Sequence, residues 1–489
     1  MSNDEYFNEL LAKAKALSKG DRIGAQELLK NIENLDCFQR ELLMKAIKES
    51  TGFTLGTQRE STASDNFNSE PDHLTLANEV IADYGKENLL STASNVWCWQ
   101  NKGIWQLFDE RALKKLVQDS LEKQGITIMR SLIDAVTDVL KTAIYAPEHQ
   151  WDKDKDTINF ANGELHWIGE VWELRSHCRE SYRTTQIPHD YNPDAKCPRF
   201  IQFLTEIFQG DADANDKAIL IFELLGYTLV SNAKFETFAL LIGTGANGKS
   251  VLLEIIRQMV GVVNTASVSP VQFSNKFQRA HLHLKLANIV TEIEEGGEIA
   301  DAELKAIVSG EQMTVEQKFK DPFNFQPFCT CWFGTNHLPH TRDFSDALFR
   351  RAKVIKFNRK FEYGKDADPE LKNKLIIEIS GIITLALKHY GEVLKRGSFT
   401  EPASCIAAKQ EWRMEADQVA QFVDEKCELN PDYDSTSAQL YDAYQNWINE
   451  VGIIRKIKRN NFTNRLLRFG CSLQKGTRGV RLITGIKLL

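Results

Sequence analysis

No apolar run in the chain approaches the ~20 residues that a membrane-crossing helix needs, so no membrane partner is expected. None of the nine cysteines, scattered from Cys37 to Cys471, forms a C-x-x-C pair. Zinc ribbons and dithiol redox motifs therefore have no support. Cys329-Thr330-Cys331 lies in an apolar stretch and reads as buried strand. An odd number of dispersed thiols suits a reducing cytoplasm. The start, Met1-Ser2-Asn3-Asp4-Glu5, is polar and acidic, unlike a secretory signal. Positive charge is also short: 60 basic residues against 67 acidic ones leave a net charge of -7. That excludes a chain that coats nucleic acid indiscriminately; any such contact must come from local basic patches. No internal repeat is present. The first 72 residues hold neither a zinc motif nor a paired-carboxylate arrangement.

What is present is an ordinary globular composition, 42% hydrophobic and 26% charged over 489 residues, enough for roughly three domains. Residues 1–72 read as a helical extension whose end, 51–72, has linker composition. Residues 73–195 read as a small α+β domain. It has strand candidates around Val96-Trp97-Cys98-Trp99 and Ile158 to Leu165, Asn162-Gly163 turn chemistry and a helix from Glu110 to Gln124. Its tail, Ile187-Pro188-His189-Asp190-Tyr191-Asn192-Pro193, reads as an extended connector. Residues 196–398 alternate strand candidates (237–242, 287–291, 328–333, 353–357) with helices, which indicates an α/β domain with a mostly parallel sheet. Residues 399–489 read as largely helical, closing in a short basic hairpin.

The most informative pattern is Gly243-Thr244-Gly245-Ala246-Asn247-Gly248-Lys249-Ser250, a G-x-x-x-x-G-K-[ST] loop. Each residue has a mechanical reason. The glycines let backbone N–H groups turn inward around phosphates. Lys249 reaches the β/γ-phosphates, and the Ser250 hydroxyl binds Mg²⁺. Phe238 to Ile242 ahead of it suits a buried strand, and Val251 onward suits a buried helix whose positive end faces the anion. ATP and Mg²⁺ are thus the expected ligands.

Phosphoryl transfer also needs a carboxylate on the metal, a group that orients water or senses the γ-phosphate, and a positive charge for the transition state. Ala287 to Thr291 is an apolar strand ending in Glu292-Ile293-Glu294-Glu295. Glu292 and Glu294 share one side of an extended segment and are the candidate metal-linked carboxylates; which glutamate serves as base stays open, as does a solvated acidic turn. Phe328 to Phe333 leads to Gly334-Thr335-Asn336-His337, where Asn336 is the candidate sensor or, alternatively, part of a plain turn. Arg350-Arg351 precedes the last strand. Either arginine could reach a neighbouring subunit's site, with Arg351 preferred, or the pair could form a surface ion-pair site. Between the acidic strand and Asn336, alternation around Lys318-Phe319-Lys320 predicts a hairpin. Its lysines can neutralise phosphates and its ring can stack on a base; an ordinary solvated loop is the alternative.

From Ile453 to Leu489 the chain has no Asp or Glu, against ten Lys and Arg residues. A helix around Leu440 to Trp447 and a second from Asn461 to Phe469, with Arg465 and Arg468 exposed, precede a basic hairpin tip carrying Arg478 and Arg481. Helix, helix and hairpin suggest a winged helix able to dock on duplex DNA, or a basic face that packs on the acidic remainder.

Together these motifs resemble the superfamily 3 helicases, specifically the phage and plasmid primase–helicase group of AAA+ proteins. The resemblance runs from about Trp97 to the C-terminus. Residues 243–250 match the family's A motif, Glu292 to Glu295 its B strand tip, Thr335-Asn336-His337 with Leu338-Pro339 its sensor, Arg350-Arg351 its arginine pair and Lys318 to Lys320 its DNA-contacting hairpin. Lys356 stands where the family often has Pro. The resemblance implies an ATP-dependent replicative DNA helicase of a phage, prophage, plasmid or genomic island, acting in the bacterial host cytoplasm. It implies a AAA+ motor with an N-terminal adaptor and a C-terminal winged helix, assembled as a ring, expected as a hexamer, with ATP between subunits and single-stranded DNA in the pore. Related chains often carry a primase ahead of the helicase; none is expected here, so a separate primase or host replication proteins are candidate partners. An ATP-gated origin-binding initiator without processive unwinding is the rival reading, and a DNA-binding protein with a degenerate nucleotide site is a third.

Overall fold

The computed structural model describes residues 3–19, 21–29, 35, 37–51, 72–93, 95–100, 102–341, 343, 345–362, 364–451, 457–476 and 479–489. Most of the expected linker, and Arg455, Lys456 and Arg478 of the basic segment, lie outside them. The chain divides into two compact units, Met1–Pro71 and Asp72–Leu489. In the first, helices Asn3–Lys15, Arg22–Leu29 and Cys37–Thr51 bury Leu10, Ala14, Leu28, Leu43 and Ile47 against one another.

The second unit opens with helix His73–Tyr84, capped by Asp72, whose carboxylate accepts from the Thr75 N–H. Strands β1 (Leu89–Ser91), β2 (Val96–Gln100) and β3 (Ile104–Leu107) form an antiparallel sheet. Helices Glu110–Lys123 and Arg130–Ala143 cover it, burying Leu113, Val117, Leu121, Val136 and Leu140. A second antiparallel sheet follows: β4 (Thr157–Phe160), β5 (Gly163–Trp167) and β6 (Trp172–Arg175). The expected Asn162-Gly163 turn joins its first two strands. Ile158, Phe160 and Leu165 of this sheet share a core with Phe200, Phe203, Ile383 and Tyr390 farther along the chain. The Trp172 indole N–H donates to the Leu387 carbonyl at 3.0 Å.

Helices Pro198–Ile207 and Ala214–Thr228 lead into the central sheet. Its strands are β7 (Phe238–Ile242), β8 (Thr265–Ala266), β9 (Ala287–Val290), β12 (Thr330–Thr335) and β13 (Ala352–Lys356), with the short hairpin β10 (Met313–Val315) and β11 (Phe323–Phe325) between β9 and β12. The spatial order is β13-β7-β12-β9-β8, and every pairing is parallel. β7, β9 and β12 are buried along their whole length, as sheets covered on both faces require. Alternation sorts their side chains: Ala239 and Leu241 join one core layer, while Phe238, Leu240 and Ile242 join the other. Each fully buried Leu or Phe there contributes roughly 1.5–3 kcal/mol.

The last region reads helix Gln418–Lys426, β14 (Cys427–Thr436), helix Ser437–Val451, helix Arg459–Leu466, then β15 (Ser472–Lys475) and β16 (Arg481–Leu488). The three strands pair antiparallel in the order β14-β16-β15. Phe422, Leu440, Tyr444, Trp447, Phe462 and Ile486 fill its core. The expected helices and hairpin are present, but β14 corrects the largely helical reading. Asn430-Pro431-Asp432 has turn composition and interrupts the pairing between Leu429 and Asp434, which hid the strand. No helix among the described residues is long and apolar enough to cross a membrane.

Candidate active site

The loop Gly243–Gly248 joins the end of β7 to the start of helix Lys249–Val260. Gly248 is at φ +90°, and a Cβ there would meet Ile207 Cγ2 at 2.6 Å. Its backbone is therefore pressed against helix Pro198–Ile207, which fixes where the next helix begins. Lys249 follows and is buried. Its ammonium donates to the Gly243 carbonyl, to Asn247 Oδ1 at 3.3 Å and to Asn336 Oδ1 at 3.4 Å. All three acceptors are neutral, and among the described residues no carboxylate forms an ion pair with it. Burial holds its pKa below the usual lysine value, opposed by the charge of Glu292. Asn247 Nδ2 is buried with no hydrogen-bond partner. A desolvated cation without a counter-ion, beside an unused N–H donor, fits an anionic ligand. Ser250, the second residue of the helix, is exposed.

Asn336 stands directly after β12, and Glu292 two residues after β9. The Asn336 Nδ2 donates to Glu292 Oε1 at 3.3 Å while its Oδ1 accepts from Lys249. One amide thus bridges the ammonium and the carboxylate, at the carboxyl ends of three adjacent parallel strands. Gly334 makes the approach possible: a Cβ there would lie 2.4 Å from the Thr291 carbonyl oxygen. The Ile293 N–H donates to the Gly334 carbonyl at 3.1 Å, and the Gly243 N–H to the Thr335 carbonyl at 3.2 Å. Ile293 is buried between exposed Glu292 and Glu294. Ser250, Glu292 and Glu294 are oxygen donors of the kind Mg²⁺ takes. Among the described residues no three His, Cys, Asp or Glu side chains gather into a metal cage; a site completed by phosphate oxygens and water needs none.

Two features of this end were missed from the sequence. The role of Gly334 needs the neighbouring strand tip to be visible. The segment after β13 also clasps the loop: the Phe361 N–H donates to the Ala246 carbonyl and the Phe357 N–H to the Ile242 carbonyl, both at 2.7 Å. Nothing local in that segment signals the contact.

The arginine pair lies at the opposite end of the sheet, just before β13, whose Ala352 pairs with Phe238 at the start of β7. Arg351 is buried. It bonds the Ala347 carbonyl at 2.7 Å and Ser309 Oγ at 2.8 Å and forms an ion pair with Glu236. The preference for Arg351 as the mobile guanidinium meets a side chain committed inside its own subunit. Arg350 is exposed, with a longer ion pair of 3.8 Å to the same Glu236. Neither arginine is brought to Lys249 within the chain.

The predicted hairpin is present as β10 and β11, with Lys318, Phe319 and Lys320 exposed at its tip. Phe319 is at φ +63°, with its ring wholly in solvent. In the C-terminal region Arg468 and Arg481 are exposed, but Arg465 is half-buried and lies 3.4 Å from the Asp417 carboxylate. The expected exposure of Arg465 is therefore corrected: a partner 48 residues away in sequence, invisible to helical periodicity, draws it inward.

Comparison with known proteins covers the same regions. Residues 66–209 match the family model described as D5 N terminal like, and residues 241–351 match a family of unknown function, DUF5906. A protein named "Putative helicase L207/L206" from Acanthamoeba polyphaga mimivirus is 25% identical over 275 residues, 50% of this chain and 27% of the relative. "Putative helicase 184R" of Invertebrate iridescent virus 6 is 22% identical over 387 residues, 68% of this chain and 38% of the relative. The chain thus spans about a quarter to two fifths of the length of these curated relatives. Two apo structures of the NrS-1 C terminal region align at 13% identity: one with a TM-score of 0.49 over 86% of this chain and 100% of that one, the other with 0.48 over 85% and 100%.

Proposed function

We propose that this chain is an ATP-dependent DNA helicase of a mobile replicon, working as a ring of identical subunits. The observation that carries this reading is the convergence of Lys249, Asn336 and Glu292 at the ends of β7, β12 and β9. It is supported by the similarity to two viral proteins named as helicases. The backbone of residues 243–248 and Lys249 would hold the phosphates of ATP, with Asn247 Nδ2 a further donor. Mg²⁺, held by Ser250 and one or both of Glu292 and Glu294, would neutralise phosphate charge. One of Glu292, Glu294 and Glu295 would take the proton of an attacking water. Asn336 touches both Lys249 and Glu292, so a change in either moves the tip of β12. The Lys318-Phe319-Lys320 hairpin precedes that strand by only a few residues and is the candidate grip on single-stranded DNA. A guanidinium from the next subunit completes the charge balance, and exposure favours Arg350 over Arg351.

The C-terminal order of helix, strand, two helices and hairpin supports a winged helix, whose exposed Arg468 and Arg481 would face duplex DNA. That observation supports the second reading, an ATP-gated initiator that marks or opens an origin without processive unwinding. Unwinding of a forked duplex by wild type, Lys249→Ala and Lys318→Ala separates the two. The helicase reading expects strand separation by wild type alone, with Lys318→Ala still hydrolysing ATP. Hydrolysis on single-stranded DNA with no separation by wild type would leave the initiator.

A further inference from the structure

A cleft of about 1110 Å³ opens between the hairpin and the first antiparallel sheet. On one wall are Gln317, Lys320, Asp321 and Phe323 of the hairpin; on the other are Arg111, Lys141 and Tyr145 around the Asp109-capped start of helix Glu110–Lys123. We propose that this cleft is a second binding surface for single-stranded DNA, continuous with the hairpin tip through Lys320. The inference rests on the helicase reading above and adds to it a DNA contact in the region that matches the D5 N terminal like model.

The chemistry of the walls supports a single strand over other occupants. Arg111 and Lys320 are exposed and, among the described residues, form no ion pair with a carboxylate. Lys141 is held only loosely by Glu110, at 3.8 Å. The three cations line one opening. Three carboxylates share the lining: Asp109 accepts from the Arg111 and Ala112 N–H groups at the helix start, Glu110 lies 3.5 Å from Lys114 and 3.8 Å from Lys141, and Asp321 sits on the hairpin wall. Tyr145 is 53% exposed, so its ring is open to a stacking base. His283, also in the lining, sits edge-on to Phe323 and Phe325, with centroids 5.1 and 5.3 Å away. Burial and Lys285 push its pKa down to about 4, so it adds shape and no charge. Spaced cations beside an exposed ring are the elements of a sequence-tolerant single-strand platform.

The cleft also has a mechanical consequence. Gln317, Lys320 and Phe323 belong to the element proposed to move, while Arg111, Lys141 and Tyr145 belong to a separate sheet-and-helix layer. A strand bridging the two walls would be gripped alternately by a moving and a fixed surface.

The test uses the full chain and a fluorescent oligo-dT, with affinity read by anisotropy across a salt series. Arg111→Ala with Lys141→Ala should weaken binding about tenfold and reduce the salt slope by roughly 1.4, at about 0.7 per lost phosphate contact. Tyr145→Ala should weaken it by roughly fivefold or more, and Tyr145→Phe should restore it, because stacking needs the ring and not the hydroxyl. Unchanged thermal melting of each variant excludes misfolding. If Lys318→Ala weakens binding while the Arg111, Lys141 and Tyr145 variants do not, the cleft inference is overturned and the helicase reading stands. If neither set changes affinity, the DNA reading of the hairpin itself fails.

Discussion

The two ends of the central sheet treat polar side chains in opposite ways. At the carboxyl ends of β7, β9 and β12 they are under-satisfied. Lys249 has only neutral acceptors, Asn336 makes two long hydrogen bonds, and Asn247 Nδ2 has none. At the amino end, Arg351 is tied to Glu236, Ser309 and the Ala347 carbonyl, with its Nε alone left without a partner. The difference separates a place built to receive charge from a place built to hold the fold together. It also divides Arg350 from Arg351, which sequence alone treats as a pair. Buried and committed, Arg351 secures the start of β13; Arg350 is exposed and holds only the longer 3.8 Å ion pair to Glu236.

Substitutions at the two ends should therefore fail differently. The largest effect is expected for Arg350→Ala, which should cut ATP hydrolysis by about 10³-fold with little change in unfolding free energy, if it acts in trans on a neighbour's phosphates. Steady-state ATPase beside chemical denaturation checks this. Loss of hydrolysis only in Arg351→Ala would reverse the assignment. Asn336→Ala should cost about 10²-fold in hydrolysis, because it removes the bridge between ammonium and carboxylate. A wild-type rate would reduce Asn336 to a turn residue. Arg351→Ala should lower stability by about 2 kcal/mol, through unpaired Glu236 and Ser309, and should affect nucleotide binding little. Smallest is Gly334→Ala, expected to cost about 1–2 kcal/mol as the tips of β9 and β12 are forced apart. Its hydrolysis rate should fall because Glu292 leaves Asn336; unaltered kinetics would mean that this spacing is not critical.

Much of this contrast was legible in the sequence wherever the signal is local. The glycine loop, the apolar strands and the alternation about Lys318 to Lys320 are short-range patterns, and the chain adopts them within a few residues of the expected bounds. The acidic tip and Asn336 were legible as candidates because strand ends are where a parallel sheet presents chemistry. What escaped depends on distant partners. Arg351 is decided by Glu236, 115 residues away, and Arg465 by Asp417. The clasp of Phe361 on Ala246 joins two backbones and leaves no mark in residue type. The two-residue strand β8 is too short to carry a period, and the Pro431 turn disguises β14.

The most direct measurement is a titration of the full chain with a fluorescent, non-hydrolysable ATP analogue in Mg²⁺. Wild type should bind saturably, Lys249→Ala should bind roughly 10- to 100-fold more weakly through loss of a desolvated charge, and Arg351→Ala should bind as wild type does. Equal affinity in wild type and Lys249→Ala would contradict a nucleotide site at the carboxyl end of the sheet.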